Sequence, residues 1–247
     1  IYLSFMRVGI LNLPFDNNYG GNLQRYALAR VLWEMGHDVK HINLRNSYCL
    51  PFYKKPYCYA KRLLMKLLGS KSSIFLEQER KREDERMEIN AQKFYERYVG
   101  HTRAVYGVKE IGQVCRENKF QAVVVGSDQV WRNGMVKGVL GLNNYMLGFI
   151  HDEHIKKIAY AVSLGTEQRL GSAQVQRYSK FYNKFSAVSV RESQSVALFD
   201  EYGWTEPRAQ HVLDPVFLLK KEDYVTLTEK ETVEHAAKNR IFCYILD

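Results

Sequence analysis

The sequence predicts an α/β fold built on a doubly wound, mostly parallel, Rossmann-like sheet. Three observations predict it: a strand-loop-helix-strand unit over residues 8–44, an all-apolar run at Ala122 to Val125, and a regular alternation of short apolar runs with helical segments after residue 108. The βαβ unit favours parallel pairing, and an all-apolar run of four suits a strand covered on both faces.

The first element is Val8 to Leu13 (VGILNL), an apolar run that gives way to turn chemistry in Pro14 to Asn22 (PFDNNYGGN). From Leu23 to Met35 apolar residues recur at Leu28, Val31, Leu32 and Met35, a helical spacing with Asn22 as the expected N-cap and Gly36 at the expected end. Val39 to Leu44 is the next strand. Residues 45–119 read as an insertion or helical lid: an aromatic and basic stretch (Tyr48 to Tyr59), a short amphipathic segment (Ala60 to Leu68), and one long mixed-charge helix from Ile74 to Val99 packed through Ile89, Phe94 and Tyr98. A helix at Val108 to Glu117 precedes the buried strand Ala122 to Val125. Further strands are expected at Ile158 to Val162, Ala187 to Val190 and His211 to Leu213, with helices at Ala173 to Phe185 and Gln194 to Tyr202. One domain over residues 6–219 is followed, on this reading, by a connector and the first strand of a second, truncated domain over 220–247, with Arg240 to Asp247 as that strand.

Composition narrows the class. With 46% hydrophobic and 26% charged residues the chain has the profile of a folded globular protein. Its 36 basic against 27 acidic residues give +9, which favours anionic partners. No basic tract is interleaved with stacking aromatics, which argues against nucleic acid. Cys49, Cys58, Cys115 and Cys243 form no CxxC pair, and Cys115 and Cys243 lie in apolar surroundings expected of core thiols. His151 and His154 lack the HExxH spacing, so no metal site is expected. No apolar run approaches the ~20 residues needed to span a bilayer, and the expected location is cytoplasmic.

In open α/β sheets ligands bind beyond the carboxyl ends of the strands, and four such positions are chemically loaded. In the first loop Asp16, Asn18, Tyr19, Gly20, Gly21, Asn22 and Gln24 are candidate binding residues, the glycines allowing close backbone approach and the helix start offering unpaired N–H groups. In GSDQVWRN, Ser127, Asp128 and Gln129 are expected to project into a cleft; Trp131 offers a sugar-stacking face or packs in the core, and Asp128 is an acid or base or caps a helix. Ser163 follows a third strand. In VRESQS, Arg191 leaves a strand beside Glu192 and Ser193, a guanidinium suited to a carboxylate or phosphate or, alternatively, to a structural ion pair.

Taken in order, NNYGGNLQRYALARVLWEMGH, VVVGSDQVWRN, AYAVSLGT, VSVRESQS and VLDPVFLL resemble the polysaccharide pyruvyl transferase family, in the subgroup with NYGxxLQxYAL and GSDQVW rather than the NxGD form of the first loop. The resemblance implies a glycosyltransferase-B-like architecture of two Rossmann-like domains, of which this chain supplies the N-terminal half; histidine and arginine contributions are expected from the second domain. It implies transfer of pyruvate from phosphoenolpyruvate, as a ketal, onto a saccharide or lipid-linked saccharide precursor of a cell-surface glycan (exopolysaccharide biosynthesis), with no cofactor beyond the donor. Arg191 would hold the donor, Asp128 or a group of the second domain would serve as acid or base, and Asp16, Asn18 and Asn22 would meet the sugar acceptor. Lys61, Arg62 and Lys66 with Leu63, Leu64, Leu67 and Leu68 suit either a peripheral contact with the inner face of an anionic membrane or simple packing, and homo-oligomers are compatible with the resemblance. The alternatives are a sugar-nucleotide glycosyltransferase of the same fold and a non-catalytic glycan-binding fragment.

Overall fold

The computed structural model describes residues 4–48, 50–136, 139–165 and 169–228. Six strands, β1 (Arg7–Leu11), β2 (Asp38–His41), β3 (Ala122–Val125), β4 (Lys156–Val162), β5 (Ala187–Val190) and β6 (Gln210–His211), form one sheet in the order β2-β1-β3-β4-β5-β6. Every described pairing is parallel. The order reverses between β1 and β3, which makes the carboxyl ends of those strands the topological switch point where such sheets bind ligands.

Ten helices accompany the strands among the described residues: α1 (Tyr19–Glu34), α2 (Lys55–Leu67), α3 (Leu76–Met87), α4 (Ile89–Tyr98), α5 (Val108–Glu117), α6 (Asn133–Val136), α7 (Leu142–Tyr145), α8 (Ser172–Tyr182), α9 (Ser193–Glu201) and α10 (Lys221–Thr228). On one face α1 lays Leu28 against Val8, Ile10 and Val124. On the other, α5, α7, α8 and α9 close a larger core that includes Ile111, Val123, Val125, Tyr182 and Phe199. Side chains therefore leave the sheet alternately toward two apolar layers, as the apolar run at β3 requires.

The expected long helix is two. The chain bends at Glu88 between α3 and α4, and the buried stripe of α4 is Ala91 and Tyr95, continued by Val99, with Phe94 and Tyr98 beside it. Ile89, expected to pack, lies off that four-residue stripe and is half exposed. After α4 the backbone runs beside β2, with His41 bridging His101 and Leu44 bridging Val105, so the sheet edge is covered. The terminal strand expected at Arg240 to Asp247 lies outside the described residues. Beyond β6 the described chain makes a 3-10 turn (Pro215–Phe217) and then α10, whose Tyr224 packs on Tyr26 of α1.

Candidate functional site

The loop after β1 is shorter than expected because α1 begins a turn early. Asn18, not Asn22, is the N-cap: its Oδ1 accepts the Gly21 N–H at 3.0 Å, and Asp16 Oδ1 in turn accepts the Asn18 N–H at 3.1 Å. Tyr19, Gly20 and Gly21 thus form the first helical turn rather than a loose cradle, with Tyr19 exposed. Asn22 is buried. Its Oδ1 accepts from Arg25 at 2.9 Å and its Nδ2 donates to the Asp16 carbonyl at 3.1 Å, so it holds the loop together instead of facing an acceptor.

Arg25 carries this arrangement. Its guanidinium is buried and also donates to the carbonyls of Leu13 and Pro14, both at 3.0 Å, fixing the turn that leaves β1. Burial pulls its pKa below the ordinary value, an effect opposed by Asp16 and Asp128 among its neighbours. The charge of Arg25 is thus felt by two candidate carboxylates, Asp16 and Asp128.

A second buried network stands beside it. His41 Nδ1 lies 2.6 Å from the Tyr95 hydroxyl and Nε2 lies 3.0 Å from Asn12 Oδ1, while Asn12 Nδ2 donates to the Gly126 carbonyl at 2.5 Å. Since the Asn12 amide nitrogen is spent on Gly126, its oxygen accepts; Nε2 therefore carries the proton, and Tyr95 donates to Nδ1. The imidazole is neutral: burial pushes its pKa well below the usual value, and Arg25, His101 and Arg45 add to that. The chain of bonds ties α4, β2 and β1 to the residue that opens GSDQVWRN.

That loop needs its glycine. Gly126 has φ +116°, and a Cβ there would stand 2.2 Å from the Tyr160 carbonyl oxygen of β4. Asp128 lies in the left-handed region at φ 72°, a conformation that aspartate tolerates better than most residues. Its carbonyl accepts the Ser163 N–H at 2.9 Å, and Trp131 N–H donates to the Ser163 carbonyl at 3.2 Å, so the loop is pinned along the end of β4.

These constraints correct the expectation for Ser127 and choose between the alternatives open at Trp131 and Asp128. Ser127 is fully buried and does not project into a cleft; among the described residues its Oγ has no hydrogen-bond partner. Trp131 is in the core, donating Nε1 to the Tyr145 carbonyl at 3.1 Å and packing on Tyr182, Phe185 and Phe199, so it presents no face to a sugar. Among the described residues Asp128 caps no helix, and its carboxylate lies 3.8 Å from Arg191. Ser163 is also buried, with Oγ accepting the Gly165 N–H, and Gln129 accepts from Arg132 at 2.8 Å. Ser193 stands exposed at the start of α9.

The fold brings together Gln24, Asp128, Arg191, Glu192 and Asp214. Arg191 Nη1 lies 3.2 Å from Asp214 Oδ2 and 3.8 Å from Asp128 Oδ1, and Nε lies 3.3 Å from Glu192 Oε1. Gln24 Nε2 donates to the same Asp214 oxygen at 2.5 Å, while Asp214 Oδ1 caps the next turn at Val216. Burial works against the Arg191 charge, yet Asp214, Glu192 and Asp128 outweigh it and hold its pKa above the ordinary value. One guanidinium thus stands among three carboxylates at the ends of β3, β5 and β6.

A family model described as polysaccharide pyruvyl transferase matches residues 18–247. The chain belongs to the polysaccharide pyruvyl transferase family. Membership indicates pyruvyl transferase activity in general. No curated protein and no solved structure matched the chain. The match starts at Asn18, the cap of α1, and takes in GSDQVW, VRES and VLDP, whose residues Asp128, Arg191 and Asp214 form the carboxylate and guanidinium cluster.

Asp214, Arg25, His41, Asn12 and Tyr95 were not singled out from the sequence. Asp-Pro after a strand marks Asp214 as a turn cap, and a histidine inside the apolar run VKHINL marks His41. Nor was a cavity of about 720 Å³ foreseen beside the end of β2, lined among others by Phe15, Arg45, Tyr48, Asp84, Glu88 and His101. Arg45 stacks 4.0 Å over the Phe15 ring and donates to Gln92 at 2.6 Å and Glu88 at 3.3 Å. Burial raises the Glu88 carboxyl pKa; Arg45 opposes this, while Asp84, Asp16 and Glu85 add to the rise. No cluster of three or more metal-ligating side chains occurs among the described residues, where His151 and His154 are exposed. Cys115 is buried, which pushes its thiol up to about 12; Cys49 and Cys243 lie outside the described residues.

Proposed function

We propose that this chain takes part in moving pyruvate from phosphoenolpyruvate onto two hydroxyls of a saccharide, forming a ketal, with the donor at the Arg191 cluster. One observation carries the reading: in a member of this family, Arg191 and Asp128, from the carboxyl ends of β5 and β3, meet 3.8 Å apart. Arg191 supplies a charge-assisted contact for the donor's carboxylate or phosphate. Of its three carboxylate partners Asp128 is the most distant, so it is the one that an arriving anion displaces most easily.

The chemistry gives that exchange a use. Protonation of the donor methylene makes a methyl group and leaves a cation at the adjacent carbon, which a sugar hydroxyl attacks. The bond to phosphate then breaks, and a second hydroxyl closes the ketal. Of the two protons the hydroxyls release, one balances the new methyl C–H and the other leaves with phosphate. Asp128, freed from Arg191 beside the donor, is the group we assign to the proton step. For the acceptor, the cavity at the end of β2 offers aromatic faces with carboxylates and amides, the mixture that saccharide hydroxyls and ring faces require.

The test is a direct assay on the full-length protein with phosphoenolpyruvate and a panel of saccharides, free and lipid-linked. Phosphate release matched by acceptor mass gain is the expected result. Turnover of a nucleotide sugar with none of phosphoenolpyruvate would assign the same cleft to glycosyl transfer.

A further inference from the structure

The helix α2 (Lys55–Leu67) follows β2 in the chain and buries none of its residues. It is held to the protein by one side only. Arg62 is bidentate to Glu77, with both contacts at 2.6 Å, and Tyr59 packs on Phe75 at 5.5 Å between ring centroids. Cys58, Tyr59 and Arg62 are the half-buried residues of the helix, so they define its inward face.

Helical spacing puts Tyr57, Ala60, Leu64, Leu67 and Leu68 on the opposite face. All five are exposed, Leu67 at 78% and Leu68 at 74%. Phe52, in the turn that leads into the helix, is 83% exposed. A soluble surface helix ordinarily turns such a stripe inward; here the half-buried side carries the ion pair and the leucines face out.

Charge identifies what covers it. From Asn46 to Leu76 the sequence has six basic residues and no acidic one. Arg62 is spent on Glu77, and Lys54, Lys55, Lys61, Lys66 and Lys71 of the same segment are all exposed. Leucines and aromatics flanked by lysines, on a helix too polar overall to span a bilayer, are the features of a helix that lies in a membrane interface. No helix among the described residues is long and apolar enough to cross one. We infer that α2 docks this protein on an anionic lipid bilayer, with Tyr57, Leu64, Leu67 and Leu68 in the acyl boundary and the lysines at the headgroups. A lipid-linked acceptor, as the proposed function allows, would share that surface; the docking itself does not depend on that reading.

Co-sedimentation of the full chain with phosphatidylcholine vesicles, with and without phosphatidylglycerol, tests this. The protein is expected to pellet with the mixed vesicles, far less with phosphatidylcholine alone, and less as salt is raised. The double variant Leu64→Glu, Leu68→Glu changes exposed positions; it is expected to melt as the parent does and to lose vesicle partitioning by about tenfold or more. Should that variant not fold, Leu67→Ser, at the most exposed of these leucines, serves in its place with a smaller loss. Failure of the parent to bind mixed vesicles overturns the inference, as does undiminished binding by a folded leucine variant, which would assign adhesion to the general basic surface. A parent dimer that the leucine variant converts to monomer, without vesicle binding, would make the face a contact between copies and also overturn it.

Discussion

Asp128 and Arg191 make one ion pair in the structure but have separable roles, and substitution tells them apart. Asparagine tolerates the left-handed backbone that residue 128 adopts, so Asp128→Asn keeps the loop while removing the proton-carrying group and its charge beside Arg191. Its expected kcat falls about 100-fold or more, the usual worth of general acid catalysis, with donor binding not weakened, since the carboxylate that competes for Arg191 is gone. Steady-state kinetics retaining more than a third of parental kcat would remove Asp128 from the proton step. His41 gives a stability prediction of definite sign. Burial holds the folded pKa well below the ordinary 6.5, so stability from the neutral ring is fully present above about 6.5 and is lost as pH falls below it. The urea midpoint is expected to drop between about pH 7.5 and pH 5.5, and His41→Gln, which starts lower, to show a smaller drop over the same range. Equal pH dependence in both would place the effect elsewhere.

At the scale of elements, the turn after β3 depends on a residue without a side chain. Gly126→Ala sets a Cβ against the Tyr160 carbonyl and costs at least about 2 kcal/mol, roughly 4 to 8 °C in melting temperature for a chain of this size. A melt within about a degree of the parent's would mean the turn relaxes freely. The two-helix segment α3 and α4 forms one wall of the cavity at the end of β2. Asp84→Asn, which keeps a hydrogen-bond acceptor for Tyr48, is expected to raise acceptor KM severalfold and leave phosphoenolpyruvate KM unchanged. Equal changes in both would detach the cavity from the acceptor. The strands and the helices α1, α5, α8 and α9 were legible from apolar period and caps, because burial on a sheet imposes those periods. The start of α1 was misread since Asn18 and Asn22 are both capable caps, and the choice was made by Arg25, whose demand for the Leu13 and Pro14 carbonyls is a tertiary effect. The bend at Glu88 escaped for a similar reason: Arg45, forty-three residues away, holds Glu88 and Gln92.

At the scale of the molecule, the strand order places every chemically loaded loop on one edge of the sheet, with α1 bridging from the switch point to Asp214 through Gln24. The row of strand ends was readable; which of its side chains face outward was not. Spacing put Ser127, Trp131 and Ser163 at strand ends as surely as Asp128 and Arg191, yet the packing of Trp131 against Tyr182 and Phe199 turns the first three inward. Only Asp128, Arg191 and Glu192 converge there with Gln24 and Asp214. Donor binding at that convergence is the central claim. Titration calorimetry of phosphoenolpyruvate against the parent and Arg191→Ala, with circular dichroism to confirm the fold, tests it most directly: donor affinity is expected to weaken tenfold or more, about 1.5 to 3 kcal/mol for a lost charge-assisted contact, and unchanged affinity in the folded variant would contradict it.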